Sequence, residues 1–320
     1  MDFSSCHFYN MKSKKKIFES LYIDDKLLKK ISNDYRVYIS KKDGKERLVE
    51  EPKGELKRVQ KRIKQLLDKT LVKNFPEYIM CKKNSSWIDV AKYHKFSNTI
   101  ISFDISKFFP SISYDKIVRM FTKHLKTSTT VAEILAQLIS IDYEKIYVKK
   151  EVDEWYKKEN EKRKHPLPNK HLSTGSAVSV MIAELVGYDM FEEMNAYCKK
   201  HGFLFTTYVD DLHISSVNRI SKVHCKKILA IIKKNGFEYN NQKLRVYLPN
   251  SDAIITGVVK KRRDSKITIK YSMENKIADW LNHFDNDNKQ KIKSMLNTIK
   301  LIDAKKFNYY NKALQKKERE

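Results

Sequence analysis

Three aspartates in two separate stretches are the residues of this sequence best suited to chemistry. Asp210 and Asp211 are adjacent in Thr206–Ser216 (TTYVDDLHISS), and Asp104 lies about a hundred residues earlier in Thr99–Ser113 (TIISFDISKFFPSIS). Adjacent carboxylates repel each other, so a site that holds them together needs a cation. Mg²⁺ suits such a site because it takes hard oxygen ligands and is shared between a few carboxylates and substrate phosphates. Carboxylates from two strands would form a two-metal clamp for in-line phosphoryl transfer. A solvated Asp-Asp turn and a buried structural Asp104 are the alternatives.

Alternation of apolar and polar residues predicts the elements that position these acids. In Thr206–Ser216, apolar and aromatic residues run up to Tyr208, and after the two acids Leu212 and Ile214 share one face and His213 and Ser215 the other. This pattern predicts two short antiparallel strands joined by a tight turn. In the earlier stretch Ile101, Phe103 and Ile105 share one strand face, and Asp104 lies on the other. A charge inside an apolar strand is costly unless it has a basic partner or binds a cation.

Both stretches resemble the A and C motifs of reverse transcriptases, FDISKFFPSI around Asp104 and YVDD at 208–211. From about Val37 to about Phe307 the chain resembles bacterial retron-type enzymes most closely. The resemblance implies an α+β, right-hand polymerase fold with an RRM-like antiparallel palm sheet, fingers and a helical thumb. It implies that Asp104, Asp210 and Asp211 are catalytic and bind two Mg²⁺ ions, with a further ligand from the carbonyl of Ile105.

The same resemblance implies three domains. N-terminal helices and fingers are expected at 1–90, the palm at 91–263 and the thumb at 264–320. Residues 114–170 are expected to return in part to the fingers. Within them, 144–170 is dense in charge (KKENEKRKH) and too polar for a core, and it is predicted to be an exposed loop or helix, with RNA contact as one candidate role.

Several residues match positions that bind the incoming nucleotide in the family. Arg47, with Lys45 as a second candidate, lies in a hairpin predicted from Asp43-Gly44 and would reach the triphosphate. Phe109 matches the steric gate that excludes a ribose 2′-OH; a core phenylalanine is the alternative. The motif beneath the nucleotide sugar keeps its glycine, Gly175, but has Thr174 in place of glutamine. Lys243 would protonate or neutralise the leaving pyrophosphate, unless it is a surface lysine.

Other residues match segments that contact RNA in retron-type enzymes. His94 lies ten residues before Asp104 and ends a motif that has Val90 where the family has asparagine; a core or helix-capping histidine is the alternative. The remaining candidates are Thr256, Gly257, Lys260, Lys261, Arg262 and Arg263.

Composition favours a polyanionic partner. The chain has 320 residues, with 65 Lys and Arg against 39 Asp and Glu, and a net charge of +26. Nucleic acid is the simplest partner for such an excess, although a Lys-rich genome bias is an alternative. The four cysteines form no C-x-x-C pair, and no signal peptide or membrane-length apolar run is evident, so we expect a cytoplasmic protein without membrane attachment.

Taken together, these features predict an RNA-directed DNA polymerase. The resemblance implies a structured noncoding RNA as template and primer, deoxynucleotides as substrates, an RNA–DNA hybrid product that becomes branched single-stranded DNA, and an anti-phage role beside a separate effector protein. Another defence-associated prokaryotic reverse transcriptase, an RNA-binding scaffold that no longer catalyses, and a DNA-templated polymerase are the alternatives.

Overall fold

The computed structural model describes residues 1–42, 44–82, 85–262 and 264–319. Asp43 and Arg263 therefore lie outside the described residues, as does the side chain of Lys45. The chain forms two compact units, each assembled from separate segments. The first unit comprises Met1–Ile79, Ile105–Glu193 and Ile232–Glu238, and the second comprises Met80–Asp104, Met194–Ile231 and Tyr239–Glu320.

The helices and strands are distributed along the whole chain. The helices are α1 (Lys14–Leu21), α2 (Asp25–Ile31), α3 (Gly54–Leu71), α4 (Trp87–His94), α5 (Phe108–Ser111), α6 (Tyr114–His124), α7 (Thr129–Ile139), α8 (Lys150–Glu161), α9 (Ser179–Lys200), α10 (Lys222–Lys234), α11 (Tyr271–Asn282), α12 (Asn286–Ile302) and α13 (Ala304–Lys317). The strands are β1 (Tyr35–Lys42), β2 (Lys45–Pro52), β3 (Thr99–Asp104), β4 (Ser140–Asp142), β5 (Lys170–Leu172), β6 (Leu204–Tyr208), β7 (Asp211–Ser216), β8 (Arg245–Tyr247), β9 (Ala253–Ile255), β10 (Val258–Lys260) and β11 (Ile267–Thr268).

A four-stranded antiparallel sheet in the second unit carries the acids. Its strand order is β6-β7-β3-β8, so the hairpin β6–β7 places β7 beside β3. Chain order and strand order together give the βαββαβ arrangement of ferredoxin-like and RRM-like sheets. Every residue of β3 is buried. The predicted α+β class and antiparallel sheet are confirmed.

A second core in the same unit joins the small sheet β9–β10–β11 to the C-terminal helices. Its buried apolar members include Ile255, Val258, Ile277, Leu296 and Leu314. The sequence predicts two or three helices over 272–310, and the structure has three, α11, α12 and α13. The division into 1–90, 91–263 and 264–320 stays a prediction.

The charged segment 144–170 contains a helix, one of the two predicted forms, but it is not exposed on all sides. Its helix α8 buries one face, on which Val152 and Trp155 pack with Leu167 and with Leu48 of β2. The segment looked too polar for a core because its apolar residues are few. They nevertheless recur at a spacing of three along the helix, which is enough to give α8 one apolar face.

Candidate active site

Asp210 and Asp211 lie at the tip of the β6–β7 hairpin, as predicted. The two-residue turn is Val209-Asp210, and Tyr208 pairs with Asp211 across it. Val209 has φ of +61°, a conformation that is an outlier for a β-branched residue. A primed turn matches the twist of the flanking strands but prefers glycine at such a position. The hairpin therefore holds strain at the acidic turn, as backbones at functional sites often do.

Asp104 lies directly opposite Asp211, because β3 and β7 pair in that register. Asp104 is 5% exposed, and its carboxylate Oδ1 accepts a hydrogen bond of 2.7 Å from Nζ of Lys243. Its backbone carbonyl accepts a bond of 2.8 Å from the N–H of Asn240. The structure thus brings together the three predicted acids and Lys243, all within the second unit.

Burial and mutual repulsion shift the pKa values of this cluster. Burial, followed by the charges of Asp104 and Asp211, raises the pKa of Asp210 to about 7. Burial and the charge of Asp104 raise the pKa of Asp211 to about 6. Burial alone would lower the pKa of Lys243, but its hydrogen bond to Asp104 and the three negative charges raise it. The cluster holds more negative charge than one lysine neutralises.

The donor chemistry fits divalent cations, which relieve the repulsion between carboxylates. In the described part of the chain no group of three or more His, Cys, Asp or Glu side chains is already arranged to hold a metal ion. Asp104 is instead paired with Lys243, whose Nζ lies 2.7 Å from its Oδ1. We expect cation binding at the three acids to compete with this ion pair.

His94 is a core residue and not an RNA contact. It is fully buried, and its Nδ1 and Nε2 lie 2.6 Å and 2.8 Å from the hydroxyls of Ser215 and Thr206. Burial lowers its pKa well below 6.5, as does the charge of His213. With both ring nitrogens engaged inside the sheet layer, the side chain has no atom left for RNA. This corrects the RNA-binding prediction in favour of the core alternative.

The Thr256-Gly257 pair forms the two-residue turn between β9 and β10. Both residues have positive φ, 45° and 94°, as a type I′ hairpin turn requires. The hydroxyl of Thr256 donates to the carbonyl of Trp87 at 2.5 Å, which fixes the turn against α4. The pair is half-buried.

Three of the four basic residues at 260–263 are described, and they divide into one buried and two exposed side chains. Lys260 is only 4% exposed, and burial lowers its pKa, which corrects the prediction that its side chain contacts RNA. Lys261 forms an ion pair of 2.8 Å with Asp252, and the guanidinium of Arg262 donates to the carbonyl of Asn250. These two exposed cations are held beside each other by the loop at 250–252.

Most of the predicted nucleotide-binding residues, including Arg47, Phe109 and Gly175, belong to the first unit, whereas Lys243 and the carboxylates belong to the second. Arg47 is exposed on β2 opposite Ser40. Phe109 is half-buried in α5, next to Phe108, which is 2% exposed and packs on Phe237. Phe108 is thus the core phenylalanine of the pair. Ile105 follows directly on Asp104 and has a buried side chain.

Gly175 packs closely against the backbone of β2 at Glu50. Its N–H donates to the carbonyl of Glu50 at 3.2 Å, and a Cβ atom there would lie 2.7 Å from that oxygen. Only glycine allows this approach. Thr174 takes part as well, since its hydroxyl donates to the carbonyl of Leu48 and accepts from the N–H of Glu50. Thr174, which replaces the family's glutamine, therefore joins this turn to β2 through two hydrogen bonds.

A buried polar cluster around Glu50 was not evident from the sequence. Its carboxylate accepts from the Tyr143 hydroxyl at 2.7 Å and from the Thr174 N–H at 2.9 Å, and its Oε1 lies 2.9 Å from Nε2 of His171. Glu50 and His171 are fully buried. One feature of the sequence does indicate that Glu50 is buried. Residues two apart share a strand face, so Glu50 lies on the same apolar face of β2 as Leu48.

With this geometry in place, comparison with known proteins identifies the family. A sequence model described as reverse transcriptase (RNA-dependent DNA polymerase) matches residues 39–309. The chain belongs to the reverse transcriptase family. The matched region includes the three acids, Lys243 and the Thr256-Gly257 turn.

Two curated relatives support the retron type. The retron Ec86 reverse transcriptase of Escherichia coli is 26% identical over 230 residues, which cover 70% of this chain and 62% of that protein. The retron Se72 reverse transcriptase of Salmonella heidelberg (strain 579083-10) is 26% identical over 214 residues, which cover 65% of this chain and 48% of that protein. The chain thus spans about half to three fifths of these relatives. The predicted resemblance to retron-type enzymes is confirmed.

A solved structure supports the fold. The telomerase from Candida albicans, in complex with a fragment of telomeric RNA, superimposes with a TM-score of 0.52 at 12% identity, over 94% of this chain and 59% of that one. At this identity the likeness shows the polymerase fold alone. In the described part of the chain, no helix combines the length and the apolar character that crossing a bilayer requires.

Proposed function

We propose that this protein is a retron-type, RNA-directed DNA polymerase that copies a structured noncoding RNA into single-stranded DNA. The observation that carries the proposal is the carboxylate cluster, in which Asp104 faces Asp211 and Asp210 lies in the adjoining turn. Carboxylates that repel one another cost stability unless a cation joins them. Phosphoryl transfer by two metal ions needs such a cluster.

The three aspartates would hold two Mg²⁺ ions, with the carbonyl of Ile105 as a further ligand. Bound divalent cations supply positive charge that favours ionisation of the primer hydroxyl and stabilises the leaving oxygen. Lys243, which is paired with Asp104 in this structure, would neutralise or protonate the leaving pyrophosphate.

The nucleotide would be selected by residues of the first unit. Arg47, with Lys45, contacts its triphosphate. Phe109 excludes a ribose 2′-OH, a discrimination that works by repulsion. Gly175 lets the backbone pack closely under the sugar. These roles rest on the matched family positions.

The RNA would be held by exposed basic residues and by the β9–β10 turn. Thr256 and Gly257 of the turn and the exposed Lys261 and Arg262 are the proposed contacts, together with Arg263, which lies outside the described residues. The net charge of +26 supports these contacts. Such contacts make binding steeply dependent on salt. A branched RNA–DNA product, a separate effector protein, an anti-phage role and a cytoplasmic location complete the proposal, and all four rest on the resemblance to retron enzymes.

One experiment tests the polymerase and the retron type together. The protein is purified from its native locus, and the bound nucleic acid is extracted and digested with RNase, DNase or a debranching enzyme. A discrete DNA joined to RNA through a debranching-sensitive bond, and absent in Asp210→Asn, is the expected result. Unbranched DNA would favour another defence-associated reverse transcriptase. RNA alone, unchanged in Asp210→Asn, would contradict catalysis and leave an RNA-binding scaffold.

A further inference from the structure

The charged segment around α8 is packed on one side against the β1–β2 hairpin. Val152 and Trp155 share a small apolar core with Leu48 of β2, and Val37 and Ile39 of β1 pack against it. Side chains alternate along a strand, so Leu48 turns toward α8 and its neighbour Arg47 turns to the opposite face. The position of the hairpin that presents Arg47 therefore depends on the apolar face of α8.

The far end of the same segment binds the loop that leads from Asp104 to Phe109. Nη1 of Arg163 donates to the hydroxyl of Ser106 at 3.0 Å and to its carbonyl at 3.4 Å. Nη2 of Arg163 lies 3.5 Å from the Glu238 carboxylate, and the carbonyl of Glu238 accepts from the N–H of Ser106 at 2.7 Å. The Arg163 side chain is only 8% exposed. A guanidinium so enclosed, with a partner on each side, is a built contact and not a solvated charge.

The next residue of that loop is held as well. Lys107 adopts a left-handed conformation, φ 51° and ψ 49°, directly before α5. Such a backbone persists in a residue other than glycine where its surroundings fix it. Here the Lys107 ammonium lies 3.2 Å from the Glu159 carboxylate and 4.4 Å from the centre of the Trp155 ring. Both partners are on α8, and the conformation they fix sets the start of the helix that carries Phe109.

We propose that residues 150–165 are a positioning element that governs the binding and sugar selectivity of the incoming nucleotide. They do so by bracing, in one unit of the structure, the loop before Phe109 and the hairpin that carries Arg47. Arg163, Glu159 and Trp155 are the positioning residues. The inference rests on the proposed polymerase function and assigns to this segment a role other than RNA contact.

The test compares Arg163→Gln with Lys158→Gln in the full-length protein. Both variants remove one positive charge from the segment, but Lys158 lies on the exposed side of α8. Primer extension on an RNA template gives KM and kcat for a deoxynucleotide and the selectivity against the matching ribonucleotide. RNA affinity at fixed salt and the thermal midpoint are measured on the same samples.

If residues 150–165 position the nucleotide-binding residues, the variants should differ in nucleotide KM and sugar selectivity but not in RNA affinity. Arg163→Gln should raise the deoxynucleotide KM roughly 5- to 20-fold and weaken sugar selectivity, since small displacements near a reacting centre have large effects. RNA affinity should stay within about twofold, because the changed contact is internal. Lys158→Gln should match the unmodified protein, and Arg163→Lys should recover part of the loss.

Three outcomes overturn or redirect the inference. Unchanged KM and selectivity in Arg163→Gln would overturn it, and so would a matching loss of RNA affinity in both glutamine variants, which would indicate an RNA contact. If the unmodified protein makes no DNA, the proposed function fails, and that failure is distinct from failure of this inference. Hydrogen exchange over 105–112 then still tests whether Arg163 holds the loop before Phe109. The inference predicts faster exchange in Arg163→Gln than in Lys158→Gln. If Arg163→Gln does not fold, Glu159→Gln takes its place in both measurements.

Discussion

Lys243 forms an ion pair with Asp104, in which its Nζ lies 2.7 Å from Oδ1 of the aspartate. Asp104 is also the residue paired with Asp211 on the neighbouring strand. The ammonium thus neutralises part of the charge of the acidic cluster in this structure. If the proposed function holds, we expect a divalent cation to compete with Lys243 for Asp104, which would leave the lysine available to the leaving group.

Replacing Lys243 by methionine should separate these two roles. The kcat for nucleotide addition should fall about 10- to 100-fold, because charge on the leaving group is no longer neutralised. Mn²⁺ binding, followed by electron paramagnetic resonance, should be retained or tightened, since the competing cation is gone. Weaker Mn²⁺ binding in Lys243→Met would contradict the exchange of partners.

Asp210→Asn should stabilise the metal-free protein at alkaline pH. The pKa of Asp210 is raised from 3.8 to about 7, so the folded state keeps a proton that the unfolded chain loses. The stability linked to that proton is present below pH 3.8 and is lost as pH rises to about 7. In a chelating buffer at pH 8 we expect Tm to rise by about 2–4 °C, with little change at pH 4. An equal shift at both pH values would rule out relief of charge repulsion.

Phe109→Ala should admit ribonucleotides. Removing the ring removes the clash with a 2′-OH, and discrimination should fall by roughly 10- to 100-fold, the range of a few kcal/mol of steric repulsion. Single-nucleotide extension with matched deoxy- and ribonucleotides measures it. Phe108→Leu is the contrasting variant, because Phe108 is buried and its loss should lower stability without changing sugar choice. Unchanged selectivity in Phe109→Ala would remove its proposed role.

Stability should fall on mild acidification because of His94. Burial and the charge of His213 hold the pKa of His94 well below 6.5. Below pH 6.5 the unfolded chain therefore binds a proton at this residue that the folded protein does not bind, which favours unfolding. Urea unfolding at pH 7.5 and 5.5 should show a lower unfolding free energy at the acidic value. His94→Gln should reduce that difference, whereas the exposed His283→Gln should preserve it. If His94→Gln left the difference in unfolding free energy between the two pH values unchanged, groups other than His94 would cause the pH dependence.

Gly175→Ala should disturb the link between β2 and the turn before α9. The added methyl group would lie 2.7 Å from the carbonyl oxygen of Glu50, which belongs to backbone and cannot rotate away. We expect a loss of about 1–3 kcal/mol of unfolding free energy and a raised deoxynucleotide KM. Gly202→Ala, where nothing lies within 4 Å of the added atom but φ is +68°, separates backbone strain from the clash. Equal losses in both variants would argue against the clash.

Local patterns in the sequence determined much of the fold. Alternation around the acids predicted the β6–β7 hairpin and the strand of Asp104, and apolar periodicity predicted the C-terminal helices. Two motifs, FDISKFFPSI and YVDD, were enough to indicate the family. These features depend on neighbours in the chain, and such information is present in the order of residues.

Only the tertiary structure decided which side chains meet. The register of β3 against β7 sets Asp104 opposite Asp211, and the loop at 240–243 brings Lys243 to Asp104. A histidine such as His94 looks the same in sequence whether it is exposed or buried. The few apolar residues of α8 gave no hint that Arg163, beyond its end, contacts Ser106. Each of these contacts joins distant parts of the chain, and its partner is fixed by packing and strand register, which no local pattern records.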